Sequence, residues 1–200
     1  LSWTANDSGS GASAIDDLSD GKSGGTNFTG SMILGHQTTG TLNNAQYNTA
    51  VGINAMDALT SGDYNTAIGK DALTANTEGN YNTAMGHQAL KSNTTGIRNI
   101  AIGSNAYEEA DTENDNLAIG YSALRGPING GEFNVAIGNY SLYANDSGDQ
   151  NTAIGYQAGD VNTTGTQNVM IGAGTDPSAN NGINQIAIGY GATGLGNNKA

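Results

Sequence analysis

The 200-residue sequence contains no cysteine, two prolines and only six lysines and arginines. Each shortage excludes something. Without cysteine there can be no disulfide framework and no thiolate metal site. Six cations stand against eighteen acids, for a formal charge of −12, and no basic cluster exists. Binding through nucleic-acid phosphates is therefore not expected. No apolar run approaches the ~20 residues that span a membrane, and no signal peptide opens the chain. Neither nucleic acid nor membrane is an expected partner. Leu1 is not a natural start and suggests a fragment or a processed chain. Apolar residues make up 36% and glycine accounts for 31 positions, a composition that by itself points to disorder.

What is present overrides that composition. The phrase Asn65-Thr66-Ala67-Ile68-Gly69 returns along the chain with small changes. Its closing glycine falls at Gly35, Gly52, Gly69, Gly86, Gly103, Gly120, Gly138, Gly155, Gly172 and Gly189. The steps are 17 residues, except one of 18 between Gly120 and Gly138. Ten copies in register set the architecture, because disorder has no reason to keep a period. The consensus is N-T-A-I-G-x-x-A-L-x-x-N-x-x-G-x-Y, numbered here as positions 1 to 17. Dispersed acid suits the solubility of an exposed fibre.

Seventeen residues are too few for two full helices and enough for two short strands and two turns. Asn–x–x–Gly phrases such as Asn76 to Gly79 and Asn162 to Gly165 supply the turn chemistry. The expected fold is all-β: a parallel β-solenoid of ten coils over residues 30–200, after a shaft or linker segment at 1–29. At ~4.8 Å between strands, ten coils stack to roughly 45 Å.

Position 4 is apolar in every coil, as in Ile68, Met85 and Ile102, and position 3 is nearly always alanine. Alternation puts positions 2 and 4 on one face and position 3 on the other. Both faces are unsuited to water, as in strands buried on both sides. Position 9, with Met56, Leu73, Leu90, Tyr107, Leu124 and Leu142, supplies the facing wall inside the coil. The remaining face needs another chain as cover, with small alanine permitting close approach at a symmetry axis. Position 1 is asparagine in eight successive coils: Asn48, Asn65, Asn82, Asn99, Asn116, Asn134, Asn151 and Asn168. Stacked amides are expected to hydrogen-bond as a ladder.

The Asn65–Gly69 phrase with Ala72, and its copies over about residues 31–193, resembles the repeat in the heads of trimeric autotransporter adhesins. That resemblance implies a left-handed parallel β-roll assembled as a homotrimer. Asn151 to Ala158, with Asn162 to Gly165, also resembles repeats of bacteriophage tail fibres and related virion proteins. Trp3-Thr4-Ala5 and the AIDDLSDGKSGG stretch at 14–25 resemble phage fibre shafts. Neither family is enzymatic in this module. The resemblance implies a structural component of a virion appendage or, alternatively, of a bacterial cell surface. Its implied partners are further copies of itself, other fibre or baseplate proteins and a host cell-surface receptor.

Other signals carry less. Gly189-x-Gly191-x-x-Gly194 spells a dinucleotide fingerprint, but no helix follows it. No cofactor is expected. His36 and His87 share position 6 three coils apart and are expected on exposed turns. The acidic run at 107–116 lacks the order of a calcium loop. No catalytic set of residues is discernible. Thr49, Thr66 and Thr83 begin an array suited to ice, but Ile100, Leu117 and Val135 break it, which leaves an ice-binding or carbohydrate-binding solenoid as a second alternative. The repeat itself is broken most between Gly103 and Asn134, where Glu113 replaces the turn glycine and residues 125–133 add one position. Loops that depart from a rigid scaffold are where recognition collects. The candidate recognition residues are Tyr107, Glu108, Glu109, Tyr121, Arg125, Pro127 and Tyr140.

Overall fold

A computed structural model describes residues 21–23, 31–34, 43–126 and 129–199. The opening shaft phrases, His36, Pro127 and Ile128 lie outside the described residues, apart from a short strand β1 (Gly21–Ser23). β1 pairs antiparallel with β2 (Met32–Leu34), so the sheet reaches back into the segment read as shaft or linker. From β2 to β11 (Ile186–Ile188), ten three-residue strands lie parallel in one sheet in strict chain order. Each position pairs with its own copy one period on: Thr66 with Thr83, Ala67 with Ala84, Ile68 with Met85. The result is a parallel β-solenoid of about nine turns, with no helix among the described residues.

The repeat is short because one strand, not two, is extended in each coil. Two strands per coil were expected, and the second wall has a different conformation. Positions 7 and 9 have positive φ, as at Asp71 (58°) and Leu73 (50°). The cause is visible in the burial. Ala72 at position 8 and Leu73 at position 9 are adjacent and both fully buried. A pleated strand would send one of them outward. The left-handed residue at position 9 turns both inward while keeping hydrogen bonds between coils, such as Leu73 N–H to Ala89 O at 3.0 Å. L-residues carry a cost of about 1–2 kcal/mol in this region, so stacking must hold them there.

The core is narrow. Alanines of position 3 meet alanines of position 8 and the large side chains of position 9, all with essentially no exposure. Position 3 therefore points into its own coil, and positions 2 and 4 point out. This corrects the expectation that alanine would line an axis between chains. Size fits this arrangement, because the small alanines of position 3 share one fully buried cluster with Leu73, Leu90 and Leu124. Where position 9 shrinks to Gly159, position 3 grows to Met170. A Cβ on Gly159 would lie 2.9 Å from the Met170 sulfur.

The corner glycine is required twice over. Gly86 has φ +144°, and a Cβ there would sit 2.4 Å from the carbonyl oxygen of Gly103. Stacked corners approach so closely that only hydrogen fits.

The asparagine ladder is present, built differently from a simple amide stack. Each Oδ1 accepts the backbone N–H of the next asparagine, as from Asn82 to Asn65 and from Asn99 to Asn82, both at 2.9 Å. Each Nδ2 crosses its own coil to the carbonyl at position 15, as Asn82 does to Gly96 at 2.7 Å. Direct amide–amide bonds join only some rungs, such as Asn65 to Asn48 at 3.1 Å. The backbone series is continuous from the Ser31 hydroxyl, which receives Asn48 N–H, to Gln185, which donates to Asn168.

A second, shorter ladder runs at position 12. Asn93 donates to Asn76 at 2.9 Å and Asn162 to Asn145 at 3.0 Å. Each pair ends where the next coil carries alanine, at Ala110 and Ala179. The Oδ1 atoms of Asn93 and Asn162 are left buried without a partner for that reason.

Candidate functional site: the outer sheet face and the tyrosine pocket

Two surfaces depart from what a lone soluble solenoid requires. The first is the outer face of the sheet. Positions 2 and 4 place aliphatic side chains there along all ten parallel strands. Val51, Ile68, Met85, Ile100, Ile102 and Ile154 are each more than a third exposed. The stripe is roughly 45 Å long at the strand spacing. A continuous apolar stripe of this kind is unusual on a lone chain. Thr49, Thr66 and Thr83 share that face, and Ile100 ends their array as the sequence implied. Beside the stripe, position 17 stacks Tyr47, Tyr64 and Tyr81 with ring centroids 4.8 and 5.0 Å apart. Arg98 continues that column and clasps Asp115 through two bonds of 2.6 Å.

The second surface follows the corner, on the turn side of the coil. Position 10 forms a column of side chains there: Lys91, Glu108, Arg125, Tyr143 and Asp160. Glu108 Oε2 accepts from Arg125 Nε at 2.8 Å and from Asn105 Nδ2 at 2.8 Å, and Lys91 lies 3.9 Å from Oε1. Burial alone would raise the Glu108 carboxyl, but the Arg125 and Asn105 hydrogen bonds outweigh it and hold the group below its usual range. Arg125 Nη1 reaches on to the Tyr143 hydroxyl at 3.4 Å.

Above Arg125 the column becomes aromatic. Tyr140 stands edge-on to Tyr121 (centroids 5.3 Å apart), Tyr143 (5.6 Å) and Tyr156 (6.3 Å). The planes of Tyr140 and Tyr156 are 87° apart, so they form adjoining walls. Tyr140, Tyr143, Tyr156, Gln157 and Asp160 line a pocket of about 420 Å³. Burial pushes the Asp160 carboxyl above its usual value. The neighbouring Asp176 is raised by burial and by Asp160, and its Oδ1 has no partner.

The candidate recognition residues divide on this geometry. Tyr121 and Tyr140 belong to the aromatic cluster. Glu109 is exposed, away from any described partner. Glu108 and Arg125 are tied to each other across adjacent coils, which makes them part of the stack. Tyr107 is corrected outright. Its ring is fully buried at position 9, and its hydroxyl accepts from Asn116 Nδ2 at 2.6 Å, so it can touch no partner. Pro127 lies outside the described residues.

The irregular coil explains itself from within. A Cβ on Gly79 or Gly96 would strike the preceding asparagine Oδ1 at 2.3 Å. Where Glu113 brings a Cβ to that position, the asparagine is replaced by Ala110. The Glu113 carboxylate then accepts from Asp111 N–H at 2.9 Å and Thr112 N–H at 3.1 Å. Tyr107 fills the remaining space. The extra residue near 127 is absorbed before Gly131, whose carbonyl takes up the usual bond from Asn116 at 2.9 Å.

Tyr143, Tyr156, Gln157 and Asp160 were not singled out from the sequence. The signal was there: Tyr121 and Tyr156 share position 6, Tyr140 and Gln157 position 7, Tyr143 and Asp160 position 10. His87 is exposed at position 6. Among the described residues no group of three or more histidines, acids or cysteines is placed to hold a metal ion. None of those residues forms a helix long and apolar enough to cross a membrane. Compared with family models, with curated proteins and with solved structures, the chain matches none.

Proposed function

We propose that this chain is a non-enzymatic structural module of a phage tail fibre or similar virion appendage, assembled as a homotrimer around its outer sheet face. One observation carries the assembly. The aliphatic side chains of positions 2 and 4 face outward, and among the described residues many of them remain more than a third exposed. Three copies that turn this face to a common axis would bury it along the whole solenoid. The coil's own core is complete without the partner, so the trimer joins finished walls. The appendage reading draws on the tail-fibre wording of Asn151–Ala158 and of the stretch at 14–25. The adhesin-head wording of Asn65–Ala72 supports a second reading, the head domain of a bacterial trimeric surface adhesin. In either setting the role is mechanical: a stiff rod that displays its turns.

Sedimentation equilibrium of the chain tests the assembly, with three chains per particle as the expected result. Ile102→Asp is expected to dissociate the particle while the circular dichroism of the coil persists. A folded wild-type monomer at micromolar concentration would refute the arrangement. Antibody labelling of virions distinguishes the appendage from the cell-surface reading.

A further inference from the structure

We propose that the pocket of Tyr140, Tyr143, Tyr156, Gln157 and Asp160 binds a neutral pyranose residue of a glycan. Its volume of about 420 Å³ falls within the roughly 300–1,000 Å³ of small-ligand sites. Two tyrosine planes at 87° make a corner of flat apolar walls, which suits the C–H faces of a sugar ring. Polar groups line the same corner: the Gln157 amide, the Asp160 carboxyl and phenolic hydroxyls. That mixture of apolar planes and several hydrogen-bonding groups matches a ring bearing several hydroxyls.

Charge narrows the class. Arg125, which reaches the Tyr143 hydroxyl at 3.4 Å, is neutralised by its pair with Glu108 and so offers no free positive charge to an anionic ligand. Asp160 lines the pocket itself, in a chain of formal charge −12, which disfavours such a ligand further. Donors as well as acceptors are among the lining groups, the Gln157 amide and the phenols beside the Asp160 carboxyl, which favours a neutral polyol. The corner glycines Gly138 and Gly155, at φ +132° and +141°, turn the chain away from the sheet face before Tyr140 and Tyr156. Tyr140 and Tyr156 therefore lie past the corner, off the strand face proposed to meet in the trimer. The inference deepens the appendage reading by naming a ligand class for the displayed turns, although the pocket geometry stands without it.

Saturation-transfer NMR on the full chain tests it. The probes are the methyl glycosides of glucose, galactose, mannose and N-acetylglucosamine, with choline and sialic acid as charged comparisons. At least one neutral glycoside is expected to receive saturation, with millimolar affinity. Tyr156→Ala is expected to weaken it about tenfold, the usual scale for losing an aromatic anchor. Tyr64→Ala, on the distant stack, is expected to change nothing. Tyr156 is 53% exposed, so the variant should melt as the wild type does. Should it not, Gln157→Ala is read in the same way. Transfer to no neutral glycoside, transfer to choline or sialic acid alone, or binding untouched by both pocket variants would overturn the proposal. Free glycosides and free protein are used, so such a failure leaves the trimer unaffected, and a monomer by sedimentation leaves the pocket unaffected.

Discussion

At the scale of single residues, asparagine at position 1 holds the coils together. Asn82 accepts from Asn99 N–H and donates to Gly96 O, with the side chain fully buried. Replacing it with alanine leaves a buried donor and a buried acceptor unpaired. Each such orphan costs about 1–3 kcal/mol, so Asn82→Ala should destabilise by roughly 3 kcal/mol. Thr95→Ala, at an exposed turn position, should stay within about 0.5 kcal/mol. Denaturant melts at one protein concentration check both, since assembly makes stability concentration-dependent. The ladder was legible because identical residues on one period must stack. Its chemistry was less so: the amide oxygen faces a backbone N–H one coil on, a partner that the repeat of side chains does not reveal.

At the scale of the coil, compensation replaces conservation of the motif. Tyr107, Ala110 and Glu113 depart from consensus together, and each departure makes room for another. Ala110→Asn alone should therefore be strongly destabilising, because its Oδ1 would meet the Cβ of Glu113. The triple variant Tyr107→Leu, Ala110→Asn, Glu113→Gly should recover a melting point close to wild type and extend the Asn76–Asn93 ladder by one rung. A triple variant as unstable as the single one would show that the coil is not exchanging three side chains as a set. The strand, the corner and the inward position 9 were all legible in the sequence. The left-handed second wall was not. Nothing in Ala72-Leu73 announces a positive φ, which leucine adopts only because both side chains must enter a core two residues wide. The inward turn of position 3 went unread for a related reason. Periodicity separates two faces of a strand, but only the size of the opposing wall says which one is inside. Reading Tyr107 as a surface group applied a rule about loops to a residue on the core column.

At the scale of the whole molecule, each coil touches only its neighbours, so stability is expected to be close to a sum of coil and interface terms. Removing residues 65–81 joins Tyr64 to Asn82 and deletes one complete period. Every column then meets its own copy again, with Asn82 receiving the place of Asn65 above Asn48. This shortened chain should fold cooperatively with a modestly lower melting point. Removing residues 65–73 sets the later columns about half a coil out of register with the earlier ones at one junction, and should lower the melting point much further or split the transition. Circular dichroism melts of the two deletions give the answer, and equal behaviour would contradict stacking by column.

The in-register pairing of each parallel strand with its own copy has one more consequence. The molecule measures distance by counting. Its length can take only whole-number values, each one strand spacing apart, about 4.8 Å. A change of length by whole periods leaves every contact type in place, whereas a fractional change that no turn absorbs breaks the junction where it falls. Near-identical segments are also the ones most readily gained or lost when a coding sequence misaligns with itself. The span between whatever stands at the two ends of this rod can thus be reset in even increments without redesigning a single interface.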